Sequence, residues 1–250
     1  MNFERDSSTS LGMTNGTVEE AIAYEFGYFL EYCSKLAVID ADLPLEVRQV
    51  SRTKARVVEI KKHRNLEKYE LFKDKTVFKI KGDRYSFKAI LPEEIFYSIA
   101  MCKAAVEYLN LPFDMEFTKF DAPPGRSSIF KGIIGISIID SCYNANFSSM
   151  KAILNMFDQI PGDNKWVVLG DMLEQGKGER EEHEKLADLI GTYDFERIIL
   201  MGPRVSKYTH PKLMDLLDSR LRGNDRRRSG NDGEGGVLIE KFLGPKETLD

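Results

Sequence analysis

The sequence predicts an α/β protein with a Rossmann-like parallel sheet in its second half, and three observations carry that expectation. From residue 136 to residue 201, short β-branched runs alternate with amphipathic helical stretches. The runs are continuously apolar, the pattern of strands covered on both faces. Each then breaks into short polar residues, as strands do where their carboxyl ends form a binding rim.

Taken in order, residues 1–16 are rich in Ser, Thr, Asn and Gly without a period, and a disordered leader is expected there. Residues 17–33 read as a helix: Val18, Ala21, Ile22, Phe26 and Phe29 recur at three-and-four spacing, with Glu19 and Glu20 at its positive end. A short strand over 36–39 runs into Asp40-Ala41-Asp42-Leu43-Pro44. Short β segments follow at 55–60, 69–72, 76–80 and 84–90, with Gly82-Asp83 as a hairpin turn. Residues 92–110 form a helix with Pro92 in its first turn and Ile95, Ile99, Cys102, Val106 and Leu109 on one face. Pro123-Pro124-Gly125 then reads as a hinge, giving a first domain over 17–124 and a second over 125–250.

The second domain opens on residues 136–139, expected as a buried parallel strand that ends in Asp140, Ser141, Tyr143, Asn144 and Asn146. A helix follows over 147–160, begun by Ser148 and Ser149, then a strand over 165–169 and the loop Gly170-Asp171-Met172. Next come a helix over 179–190 and a strand over 197–201 that closes on Gly202-Pro203. Residues 213–221 fit a helix, 219–236 a flexible insertion holding the near-repeat Gly-Asn-Asp, and 237–242 a further strand. The Arg226 to Arg228 run reads as a solvated part of that insertion.

With 250 residues and 42% hydrophobic content, the chain is large enough for real cores. A net charge of -4 gives no basic field for nucleic acid. Cys33, Cys102 and Cys142 are odd in number and show no metal-ligand spacing with His63, His183 or His210. No apolar run approaches the roughly 20 residues of a membrane span, so a cytoplasmic protein is expected.

Three ordered motifs carry a resemblance. Pro124-Gly125-Arg126, the segment from Asp140 to Asn146 followed by Ser149-Met150-Lys151-Ala152, and the segment from Leu169 to Gly176 with His183 downstream are similar to the Mur ligases. The likeness covers roughly residues 14–210 and, more loosely, 237–250, and leans toward the branch that adds D-alanyl-D-alanine to UDP-N-acetylmuramoyl-tripeptide. It implies the remainder of a mixed α/β central ATP-binding domain followed by a Rossmann-like C-terminal domain. It also implies ATP and Mg²⁺, a UDP-muramoyl-peptide and D-alanyl-D-alanine as partners, cell-wall synthesis as the process, and an acyl phosphate as the activated species.

On that resemblance Arg126 reaches the γ-phosphate, while Asp40, Asp140, Tyr143 and Asn144 meet the nucleoside. Asn146, Asp171 and His183 then fall on the side of the incoming dipeptide. Other readings stand beside these. The polar run after residue 139 also suits a helix cap, Asp171 a cap as well as a ligand contact, and His183 a solvated face shared with Glu181, Glu182 and Glu184. The sequence departs from the family at several points. It contains no Gly-x-x-Gly-Lys-Thr loop, it has Asp140-Ser141 where relatives pair aspartates, and Asp40 stands in place of Asn. The likeness is therefore to the C-terminal part of a ligase, truncated at both ends, with a separate chain expected to supply the missing portion if it acts as an enzyme. The alternatives are a nucleotide- or peptide-binding module without chemistry, a gene remnant, or a ligase fragment of different amino-acid specificity.

Overall fold

The computed structural model describes residues 17–162, 164–222 and 238–242. The leader expected over 1–16 and the insertion from residue 223 to 236 lie outside the described residues. The chain separates into two compact units, one of Met1–Glu70, Val77–Ser86 and Glu94–Thr118, the other of Leu71–Thr76, Phe87–Glu93 and Lys119–Asp250.

In the first unit, α1 (Val18–Tyr32) begins at a capping box. Thr17 Oγ1 accepts the Glu20 N–H and the Glu20 carboxylate accepts the Thr17 N–H. β1 (Leu36–Asp40) and β2 (Arg56–Ile60) pair in parallel, Leu36 opposite Arg56 and Asp40 opposite Ile60. Between them lie α2 (Pro44–Gln49) and a 3-10 turn, Val50–Arg52. Arg52 fastens α1 in place: its guanidinium lies 4.6 Å from the ring centroids of both Tyr24 and Tyr28, and its Nε donates to Glu31 at 2.7 Å. Gly27 sits beneath it, where an added Cβ would stand 2.2 Å from the guanidinium.

α3 (Lys62–Asn65) leads into β3 (Leu66–Leu71), β4 (Thr76–Ile80) and β5 (Asp83–Phe87), which form a sheet in the order β3-β4-β5. The β4–β5 turn is Lys81-Gly82, one residue earlier than expected; φ of 49° and 88° are the positive pair of a primed hairpin turn. α4 (Ile95–Tyr108) packs on β1 and β2 through Phe96, Ile99 and Ala100. It begins after Pro92, which therefore precedes the helix instead of occupying its first turn.

The second unit contains β6 (Ser128–Lys131), β7 (Ser137–Asp140), α5 (Phe147–Gln159), β8 (Trp166–Gly170), α6 (Glu179–Ile190) and β9 (Arg197–Met201). A π-helical turn, Val205–Thr209, runs into α7 (His210–Arg222), and β10 (Leu238–Phe242) follows. β8 and β10 both pair in parallel with β9, giving the order β10-β9-β8. One core layer joins sheet and helices: Leu154 of α5, Leu186 and Ile190 of α6 and Leu213 of α7 meet Leu169 and Leu200. Residues 219–222, expected in the insertion, are helical instead, because α7 is carried along the core by Leu213 and Leu217.

Two expectations are corrected here. β7 is not a buried parallel strand; it pairs antiparallel with β6, Ser128 opposite Asp140, in a ribbon of its own. Residues 132–136 close a tight turn, with the Gly132 N–H donating to the Ile136 carbonyl at 2.8 Å, so the nearest available edge is the preceding segment. The apolar residues of this ribbon stay at the surface, and Ile134 is 93% exposed. Among the described residues, helices also cover the parallel sheet on one face only. Val167 and Leu169 point into the core, whereas Val168 is 60% exposed, because α5, α6 and α7 all contribute to the same layer.

This layering makes a prediction for urea unfolding. Leu186→Ala should lower stability by about 2–5 kcal/mol, because Leu186 is fully enclosed, whereas Ile134→Ala should change it by less than about 0.5 kcal/mol. A large loss from Ile134→Ala would place the ribbon in a core.

Candidate functional site

Two polar clusters form at strand ends of the second unit. The first surrounds the turn before β6. Gly125, at φ +73°, is buried, and a Cβ there would lie 3.2 Å from the Tyr143 Cβ, so glycine is needed for this close approach. The Tyr143 N–H donates to the Gly125 carbonyl at 3.2 Å, which brings the loop after β7 against the turn. Arg126 then lays its guanidinium over the Tyr143 ring, 4.6 Å from the centroid, and both side chains are exposed. A stacked guanidinium keeps its N–H edge available for oxyanions.

The remaining side chains of this loop are engaged locally. Asp140 Oδ1 accepts the Cys142 N–H at 3.1 Å, and the Cys142 thiol together with that N–H holds the Asp140 carboxyl below the usual range. Asn144 occupies the left-handed region at φ +49°, which Asn tolerates well. Asn146 caps α5 by accepting the Ser149 N–H at 2.9 Å while Ser149 Oγ accepts the Asn146 N–H at 3.0 Å. The cap residue is therefore Asn146, two residues before Ser148, with Ser149 as its reciprocal partner.

The second cluster follows β8. Asp171 Oδ1 accepts the N–H groups of Arg204 at 3.0 Å and Val205 at 2.9 Å, at the start of the π-helical turn. Gly202, at φ +134°, makes room: a Cβ there would lie 2.5 Å from Asp171 Oδ1. Arg204 Nε also donates to Glu179, at 2.5 Å. Neither Arg204 nor Glu179 was marked by sequence; the available signal was the Gly-Pro-Arg step closing a strand just before a helix.

His183 is not on a solvated face. It is 0% exposed, with Nδ1 2.7 Å from the Glu179 carbonyl and Nε2 accepting the Met172 N–H at 3.2 Å, which assigns the Nδ1–H tautomer. Helical period explains the burial, since His183 shares its face with Leu186, Ala187 and Ile190.

Asp40 belongs to the first unit. Its carboxylate accepts the Asp42 N–H at 2.9 Å, and its own N–H donates to Glu46 Oε2 at 3.2 Å. Burial pushes the Asp40 carboxyl up, and burial does the same to Glu46. Asp42 goes the other way, held low by the Lys62 N–H and the Tyr97 hydroxyl, which donates to it at 2.7 Å. Among the described residues, no three His, Cys, Asp or Glu side chains gather in a metal-holding group, and no helix is long and apolar enough to cross a membrane.

With this geometry in view, comparison with known proteins bears on part of the second unit. Residues 125–222 match the family described as Mur ligase, glutamate ligase domain. Over those residues the chain is similar to the Mur ligases. The UDP-N-acetylmuramoyl-tripeptide–D-alanyl-D-alanine ligase of Rickettsia prowazekii (strain Madrid E) is 35% identical over 97 residues, 39% of this chain and 20% of that one. The enzyme of the same name from Bacillus subtilis (strain 168) is 33% identical over 111 residues, 38% of this chain and 24% of that one. In fold, the chain is similar to the MurF ligase of Thermotoga maritima solved with ADP, with a TM-score of 0.68 at 17% identity, covering 90% of this chain and 54% of that one. MurF from Acinetobacter baumannii gives a TM-score of 0.67 at 17% identity, over 96% of this chain and 55% of that one. The chain thus spans little more than half the length of these solved Mur ligases.

Two predictions follow from how the clusters are built. Asp171→Ala should lower the urea-unfolding free energy by about 1–2 kcal/mol, and Asp171→Asn, which keeps the accepting oxygen, by less. For Asp40 the sign is set by its raised folded value. The folded state holds the proton more tightly, so stability falls as pH rises from the unfolded carboxyl value of about 3.9 through the folded one. Asp40→Asn should remove that fall, giving a higher urea midpoint than wild type at neutral pH and convergence in acid; parallel pH curves would contradict the burial argument.

Proposed function

We propose that this chain is the C-terminal part of an ATP-dependent ligase of peptidoglycan precursor synthesis, joining D-alanyl-D-alanine to UDP-N-acetylmuramoyl-tripeptide through an acyl phosphate. The observation that carries the proposal is Arg126, exposed and stacked on Tyr143 within a segment that matches the Mur ligase domain. Its free N–H edge suits the phosphate oxygens of ATP, which supplies the phosphoryl group in such a reaction. Tyr143 offers a flat exposed ring beside it, and Asp140 and Asn144 set the loop on which a nucleoside rests. Asp40 is assigned to the base by resemblance alone.

Asn146, the cap of α5, and Asp171, the residue after β8, are assigned to the incoming dipeptide by resemblance. Their oxygens already accept backbone N–H groups, so any contact runs through remaining lone pairs. His183 acts from within the core, by holding the loop at Met172. Mg²⁺ does not fit the described residues, and the sequence has no phosphate-cradling loop. Both are therefore assigned to a further polypeptide segment, in the same cytoplasmic setting. The missing loop also supports a second reading, a nucleotide- or peptide-binding module without chemistry.

Calorimetry and ADP release separate these readings. The isolated chain should bind ATP weakly and release no ADP when mixed with UDP-N-acetylmuramoyl-tripeptide and D-alanyl-D-alanine. Arg126→Ala should weaken nucleotide binding by about tenfold or more, and Arg126→Lys should restore it only in part, because lysine lacks the planar fork. Turnover by the chain alone would overturn the assignment of the phosphate loop to another segment, and no heat with ATP would overturn the nucleotide role of Arg126.

A further inference from the structure

We propose that the tip of the β6–β7 ribbon, residues 132–136, is a surface anchor that inserts into a lipid bilayer carrying anionic headgroups. The inference stands on the ribbon itself and does not depend on the ligase reading.

Exposure of the apolar side chains rises along the ribbon toward its turn. Ile129 is 41% and Phe130 51% exposed, whereas Ile133 reaches 79% and Ile134 93%. Phe130 stands opposite Ile138 in the ladder, so the apolar surface runs from the strands into the tip without a break. Such a gradient describes a projection, and a continuous exposed apolar surface marks a site of interaction. Ile134 is also held in the left-handed region, at φ 59° and ψ 30°, which a β-branched side chain adopts only at a cost. Packing within the chain offsets little of that cost at a residue so exposed.

Two features select a bilayer as the occupant. The first is the main chain of the turn: the Gly132 N–H donates to the Ile136 carbonyl at 2.8 Å, and the Ile136 N–H to the Ile133 carbonyl at 3.2 Å. A turn closed on itself carries fewer unpaired polar groups into an apolar phase than an open loop does. The second is charge. From residue 127 to residue 139 the only charged side chain is Lys131, which is exposed and makes no ion pair among the described residues. That stretch holds no carboxylate to repel anionic headgroups, and a lysine beside an apolar tip keeps its ammonium at headgroup level while its stem follows the isoleucines. A second copy fits less well, because it presents the same projection and two projections meet over little area. Peripheral insertion needs no spanning helix, in keeping with the helices described.

The test sediments the full chain with vesicles of phosphatidylcholine alone and of phosphatidylcholine mixed with phosphatidylglycerol. Binding should be reversible and stronger on the mixed vesicles, and hydrogen exchange of amides 130–138 should slow there. Ile133→Ser with Ile134→Asn should weaken binding at least about tenfold. Asparagine suits the left-handed backbone at 134, so this variant keeps the turn, and circular dichroism with the urea midpoint verifies that it folds. Lys131→Gln should weaken binding to the mixed vesicles by about fivefold and leave binding to phosphatidylcholine unchanged. No sedimentation with either vesicle, or equal binding by the double variant, overturns the proposal. Full binding of Lys131→Gln to the mixed vesicles overturns the choice of anionic headgroups. A concentration-dependent dimer formed without lipid and dispersed by the double variant also overturns the proposal, by assigning the tip to a second copy.

Discussion

The second unit depends on how two adjacent residues, Asp171 and Met172, fasten the end of β8 to the helices that cover it. Asp171 gives one carboxylate oxygen to two N–H groups at the entry to α7, and Met172 gives its N–H to a buried imidazole on α6. A buried ring must satisfy both nitrogens, and His183 does so with one main-chain donor and one main-chain acceptor. The absence of a side chain at Gly202 is what lets the carboxylate approach. With these contacts made, α6 and α7 lie over the same face of the sheet, and the core layer of Leu186, Leu200 and Leu213 closes between them.

Much of this was legible from residue period alone. α6 and β9 have the bounds that their sequence pattern suggests, because each combines a clear apolar repeat with flanking breakers. His183 was misread because its sequence neighbours are glutamates. The same 3.6-residue period that marks Leu186, Ala187 and Ile190 places it with them, and that signal was present. β7 was misread for a different reason: a short apolar run fits a buried parallel strand and an exposed ribbon equally well. What separated them was the tight turn over residues 132–136, and β6 went unnoticed with it.

The polar loops show why site residues are harder to read than strands. Short acidic, amide and hydroxyl side chains at a strand end serve equally as ligand contacts and as helix caps, since both tasks require an oxygen aimed at backbone N–H groups. In this chain the capping task takes up Asn146 and Asp171, and a local turn takes up Asp140. Arg126 and Tyr143 are the pair that these local duties leave facing outward, which is why the nucleotide reading comes to rest on them.

The correction to the sheet points the same way as the helix at the start of the chain. β8 reads Trp-Val-Val-Leu without alternation, the composition of a strand covered on both faces, yet its packing alternates buried and exposed. α1 likewise carries aromatic residues on two sides and packs one. A soluble surface gains nothing from Val168 or Phe29, and each exposed apolar group raises the cost of remaining unassociated. Composition in both units therefore matches a more enclosed environment than the described residues provide, and the pattern rule that misjudged the sheet reflects that composition.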